Sequence, residues 1–165
     1  FRQVPGTDGV VGTLLNKLPG DVWGINEIKE FKDSIEKEGL ELPPDHILKP
    51  ADTKDIAKAI CSFREPITAI FVASDIIAIS LMDNLKKSGY RVPKDYSIIG
   101  FDNLPISGYV SPSLTTISQD INYKAQNAID ILFNHLNNAS LPTQNIILDV
   151  ELIKRESVYN RNLQQ

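Results

Sequence analysis

Two short apolar runs constrain this chain more than any other feature. Thr68-Ala69-Ile70-Phe71-Val72-Ala73 is apolar after its first residue, and Ser97-Ile98-Ile99-Gly100-Phe101 is nearly so. Unbroken runs of this length suit strands covered on both faces, and such strands belong to parallel sheets. Each run closes on polar residues, Ser74-Asp75 after the first and Asp102-Asn103 after the second. Helical spacing fills the intervals. Ile25, Ile28, Phe31 and Ile35 lead to a stop at Gly39. Ile56, Ala57, Ile60 and Phe63 follow a cap at Asp52 or Thr53 and stop at Pro66. A third helix runs from Ser74-Asp75 to Ser88, with Gly89 as its stop. Ile121, Ala125, Ala128, Ile129, Leu132 and Leu136 mark a fourth. Ile47-Leu48 and Leu114 to Ser118 read as short strands, and Ile146 to Ile153 as extended chain. This alternation predicts an α/β domain, a doubly wound parallel sheet with right-handed crossovers. Residues 1–24 break the pattern with Gly6, Gly9, Gly12, Gly20 and Gly24, and only Val10 to Leu18 has room for a short helix.

Composition narrows the class. The apolar fraction is 42% and the charged fraction 23%, as in ordinary globular domains. A net charge of −4 argues against this chain gripping nucleic acid alone, because phosphate binding needs clustered Lys and Arg. No apolar run approaches the roughly 20 residues of a membrane span. One Cys fits a reducing cytoplasm and leaves no internal disulfide. No enzyme pattern is present: no nucleophile elbow, no phosphate-binding glycine motif, and no catalytic residue is nominated. His46 and His135 lack partners at metal spacing, and no cofactor is expected. Cys61, beside Ile60 on a helix, reads as a small buried apolar group.

Four stretches then resemble one family in order and spacing. Ile67 to Asp75, with Ala78, resembles the strand and helix start of the lactose-repressor/galactose-repressor (LacI/GalR) transcription regulators. Gly89 to Asn103, with Val92-Pro93 and Gly100-Phe101-Asp102-Asn103, is similar to a second signature of that family, and Pro112 to Gln119 to a third. Leu152-Ile153-Lys154-Arg155-Glu156-Ser157 resembles its ending. The resemblance implies a periplasmic-binding-protein-like type I fold, two subdomains hinged around an effector, with this chain covering roughly the second half. It assigns 25–118 and 145–158 to the carboxy-terminal subdomain and 119–144 to the hinge and a helix of the amino-terminal one. Either most of the amino-terminal subdomain and the helix-turn-helix before it are missing here, or residues 1–24 carry a shortened remnant of that subdomain. Two departures stand out. Glu27 occupies the place of the family's effector-holding Arg, and Ser74 that of its usual Asn. Either the ligand differs in charge or the Glu27 position is unused.

The candidate ligand-binding residues follow. Asp75 and Asp102 end apolar strands, where ligands bind in open parallel sheets. Two carboxylates there suit the hydroxyl donors of a sugar or polyol. The plainer readings are a helix cap for Asp75 and a turn for Asp102. Ser74 and Asn103 add hydrogen-bonding groups beside them. Gln119 is either a hinge or cleft residue or a solvent-facing amide. Trp23 either stacks on a sugar or belongs to a core. The resemblance implies a homodimer, with Ile79, Met82 and Asp83 on the third helix and Ile106, Tyr109 and Val110 in the following loop. Ile79 and Met82 equally suit packing on the chain's own sheet. The expected protein is a cytoplasmic sensor that reaches DNA through a headpiece outside this chain and has no membrane partner. A sugar-binding protein of a transport system is the alternative.

Overall fold

A computed structural model of the chain describes residues 10–14, 31–40, 42–48, 52–63, 67–144 and 146–159. The first described element is a strand, β1 (Val10–Leu14). A helix, α1, covers residues 31–37, with Gly39 at φ 73° beyond its end. A 3-10 turn (Pro44–His46) leads into β2 (Ile47–Leu48). Helix α2 (Thr53–Ser62) is capped by the Asp52 side chain, which accepts from the Lys54 N–H. The first apolar run becomes β3 (Ile67–Val72). Helix α3 (Asp75–Lys87) follows and ends at Gly89, φ 90°. The second run becomes β4 (Ser97–Phe101), and a 3-10 turn (Pro105–Gly108) separates it from β5 (Thr115–Gln119). Helix α4 (Ile121–Asn137) and strand β6 (Val150–Ile153) complete the described elements.

The six strands form one sheet in the order β2-β1-β3-β4-β5-β6. The first five are parallel, as the apolar runs predict. The sixth is not: β6 pairs antiparallel with β5, Thr116 opposite Ile153 and Gln119 opposite Val150. The wholly parallel sheet therefore becomes a mixed one. Strand β1 is a second correction. Val10 to Leu18 does not start as a helix: residues 10–14 form a strand. They lie between β2 and β3 in the same sheet as the apolar runs. The β-branched Val10, Val11 and Thr13 suit that strand. The expected strand from Ile146 shortens to its last four residues.

Alternation along β3 and β4 divides the core between the two faces. Ile70, Val72 and Ile98 point to one face and, with Ile67 at the start of β3, belong to one core cluster with Ile56, Ile60, Ala78, Leu81, Met82 and Leu85 of α2 and α3. Phe71 points to the other, stacked on Phe31 of α1 at 5.0 Å and set edge-on to Phe101 at 6.4 Å. Burial of each large apolar side chain is worth about 1.5–3 kcal/mol, so these two layers fix the sheet. Helix α4 belongs to neither layer and buries none of its residues. Ile129 and Leu132 remain 49% and 56% exposed.

The segment after β6 laces the sheet together. Buried Ser157 donates through Oγ to the Ile98 carbonyl at 2.6 Å and accepts from the Thr115 N–H at 2.8 Å. Its own carbonyl accepts from Ile98 N–H at 2.8 Å, and the Glu156 carboxylate accepts from Ser113 N–H and Oγ.

Candidate functional site

Strands β3, β4 and β5 end side by side, so the residues just past them gather at one edge. Asp75 starts α3 directly after β3 and its side chain is completely buried. Both of its carboxyl oxygens are engaged. Oδ1 accepts from Thr116 Oγ1 at 2.5 Å; Oδ2 accepts from Ser107 Oγ at 2.6 Å and from the Leu104 N–H at 2.8 Å. The expectation of a ligand contact at Asp75 therefore gives way to a positioning role. A group with no exposed surface and three donors already in place holds its neighbours, not a solute. The plainer reading as a helix cap changes too, because the donors come from the turn after β4 and from β5, not from α3.

What Asp75 holds is the turn that carries Asp102 and Asn103. Both have left-handed backbone, φ 105° and 49°, a region that non-glycine residues rarely adopt. Such strain persists where surrounding bonds over-determine the backbone, and it concentrates at ligand sites. Here the bonds are numerous. Asp102 N–H donates to the Ile117 carbonyl at 2.9 Å and Asn103 N–H to Thr116 Oγ1 at 3.3 Å. Asn103 Nδ2 donates to Ser118 Oγ at 3.2 Å, and Arg155 Nη2 donates to Asn103 Oδ1 at 2.8 Å. Arg155 also reaches the Leu114 carbonyl through Nη1, 2.7 Å. Gly100 lies directly above Asp75, and a Cβ there would stand 2.2 Å from Asp75 Oδ1.

Asp102 differs from Asp75. It is half-buried, and Gln119 Nε2 donates to its Oδ1 at 3.1 Å. Burial pushes its carboxyl above the usual carboxylate range; the Gln119 amide opposes that rise, the Asp75 charge adds to it and Lys124 opposes it. The result is a partly desolvated acceptor that still reaches the surface.

The nominated ligand residues thus separate. Gln119 bonds Asp102, Asn103 follows Asp102 on the same turn and bonds Ser118 of β5, and Ser74, half-buried, caps α3 without a side-chain capping bond. Trp23 and Glu27 lie outside the described residues. Thr116, Ser107, Ser118 and Arg155 carry the site without having been nominated. Thr116 and Arg155 fall within the two last family-like stretches, which was the signal available for them. Among the dimer candidates, Met82 is corrected: it is buried in the core formed with the sheet. Ile79 and Val110 are half-buried against that core, whereas Asp83, Ile106 and Tyr109 are exposed, Tyr109 by 87%. Among the described residues no cluster of His, Cys, Asp or Glu is arranged to hold a metal ion, and no helix is long and apolar enough to cross a membrane.

Comparison with known proteins identifies the fold and the family. Residues 9–158 match the periplasmic binding protein-like domain. The chain is 27% identical over 161 residues to the HTH-type transcriptional regulator MalR of Clostridium butyricum, which covers 89% of this chain and 48% of that protein. It is 33% identical over 135 residues to the HTH-type transcriptional repressor PurR of Pasteurella multocida, covering 79% and 40%. The solved LacI family transcriptional regulator of Enterococcus faecium with bound ribose superposes with a TM-score of 0.72 at 25% identity, over 90% of this chain and 56% of that one. The chain thus spans about half the length of the proteins it matches. It belongs to the periplasmic binding protein-like domain family, in the form carried as the effector-binding part of LacI-family transcription regulators.

Proposed function

We propose that this chain senses a small neutral polyhydroxyl molecule, a sugar or related polyol, for a dimeric transcription regulator. The observation that carries the reading is Asp102. It presents a desolvated acceptor on a strained, heavily braced turn at the carboxyl edge of the sheet. Sugar hydroxyls donate to such a group, and acids are repelled by it. Ser74 and Asn103 flank it. The Enterococcus faecium relative, which holds ribose, supports the ligand class. In this reading the protein works in the cytoplasm and is not an enzyme. DNA is reached through a separate headpiece, consistent with the net charge of −4 on this chain. Effector binding acts on DNA affinity only by favouring one arrangement of the regulator over another.

The test uses amide chemical shifts of the chain titrated with ribose, glucose and cellobiose. At least one sugar should perturb the Asp102 and Asn103 amides, and Asp102→Asn should abolish the effect. That variant should not lose stability. A carboxyl whose folded pKa is raised binds protons more readily folded than unfolded, so its contribution to stability falls as pH rises above the ordinary Asp value of about 3.9. Asp102→Asn should therefore match or exceed the parent Tm at pH 7 and flatten its decline with pH above that value. If adenine or acidic metabolites perturb these amides and sugars do not, the ligand class is wrong.

A further inference from the structure

We propose that Lys124, on the first turn of α4, is a positioning residue for the effector-contacting carboxylate of Asp102, acting through the side-chain amide of Gln119. This rests on the reading of Asp102 given above. Lys124 Nζ donates to Gln119 Oε1 at 3.1 Å, and Gln119 Nε2 donates to Asp102 Oδ1 at 3.1 Å. An amide has two ends of opposite character, a carbonyl that only accepts and an NH2 that only donates. An ammonium has donors alone. With Lys124 at one end, only one orientation of Gln119 is favourable. Rotating the amide would set NH2 against ammonium and carbonyl against carboxylate, two repulsive contacts in place of two bonds. Lys124 therefore selects which end Gln119 shows to Asp102.

The rest of the local structure holds Lys124 where this requires. Asp120 caps α4 by accepting from the Tyr123 N–H at 2.9 Å, and the Lys124 N–H donates to the Asp120 carbonyl at 2.9 Å. Gln119 is the last residue of β5, paired with Val150, so its backbone is fixed by the sheet. The three residues thus come from the end of β4, the end of β5 and the start of α4. With Gln119 donating to Oδ1, Asp102 remains an acceptor there, and Oδ2 is the oxygen left to meet a hydroxyl donor. Lys124 also opposes the rise in the Asp102 carboxyl that burial causes.

The experiment follows the Asp102 carboxyl carbon and the Gln119 side-chain amide by NMR in the parent chain, Lys124→Met and Lys124→Arg. Lys124 is exposed, so thermal stability should barely change. Lys124→Met should move the Asp102 titration to higher pH and make the Gln119 NH2 signals broaden or double. Lys124→Arg, another pure donor, should restore both. Ribose affinity, read from the Asp102 amide, should fall about fivefold in Lys124→Met, the equivalent of about one neutral hydrogen bond. An Asp102 titration and a Gln119 amide that ignore Lys124→Met overturn the proposal. Ribose that fails to perturb Asp102 in the parent chain counts against the effector reading alone, because the titration and amide signals decide the relay without any ligand.

Discussion

Asp75 and Gly100 show how little room the site leaves. A real Cβ never approaches another atom as closely as 2.2 Å, and the second neighbour, Leu114 Cδ2, would be only 2.9 Å away. Both neighbours are fully buried. Gly100→Ala must displace either the Asp75 carboxylate or Leu114, and overpacking of that kind costs about 1–3 kcal/mol. Urea unfolding should show the loss, and most of it should vanish in an Asp75→Ala background, where the obstructing carboxylate is gone. Equal losses in both backgrounds would mean that Leu114 alone is responsible. The same pair marks the limit of sequence reading. A carboxylate after a strand is legible, but whether it faces ligand or core depends on donors 29, 32 and 41 residues away, at Leu104, Ser107 and Thr116. Asp102 also follows an apolar strand, yet it is half-buried where Asp75 is fully buried. No local pattern distinguishes them.

Among the elements, the apolar runs and helical stripes placed β3, α3, β4 and α4 to within a residue or two, because period and burial agree there. β1 escaped because five residues broken by Gly12 show no period, and its partners lie across the sheet. Met82 was misassigned for a related reason: a helix wedged between a sheet and another helix has apolar residues on more than one side, so a shared face does not say which side is outward. Helix α4 is the opposite case, with a clear stripe and nothing in the described chain to cover it. Ile121, Phe133 and Leu136 are 58%, 58% and 70% exposed. Because Ile129, Leu132 and Phe133 are about half exposed and none is buried, replacing all three by Gln should lower the Tm of the chain only slightly, while light scattering shows less association and apolar dye binding falls. A Tm drop of several degrees would place those side chains in this chain's own core.

At the level of the whole molecule, the proposed dimer face narrows to one end of α3 and the turn beside it. Asp75 holds Ser107, so the first turn of α3, with exposed Ile76, lies next to Ile106 and Tyr109. Tyr109→Asp should weaken a symmetric dimer. Sedimentation should be run in the α4-substituted background, so that association through the helix stripe does not mask the result. An unchanged mass distribution would exclude Tyr109 from the contact. The lacing after β6 has a different kind of consequence, one of timing. Ile98 waits for Ser157, 59 residues further along the chain. At about 5–20 residues per second, synthesis takes about 3–12 s to cover that gap. Through those seconds β4 and β5 can emerge, but β5 has no β6 on its outer edge and the Ser157 bonds cannot form. A nascent chain stalled before Val150 presents that open edge to chaperones, to proteases and to other nascent copies of itself.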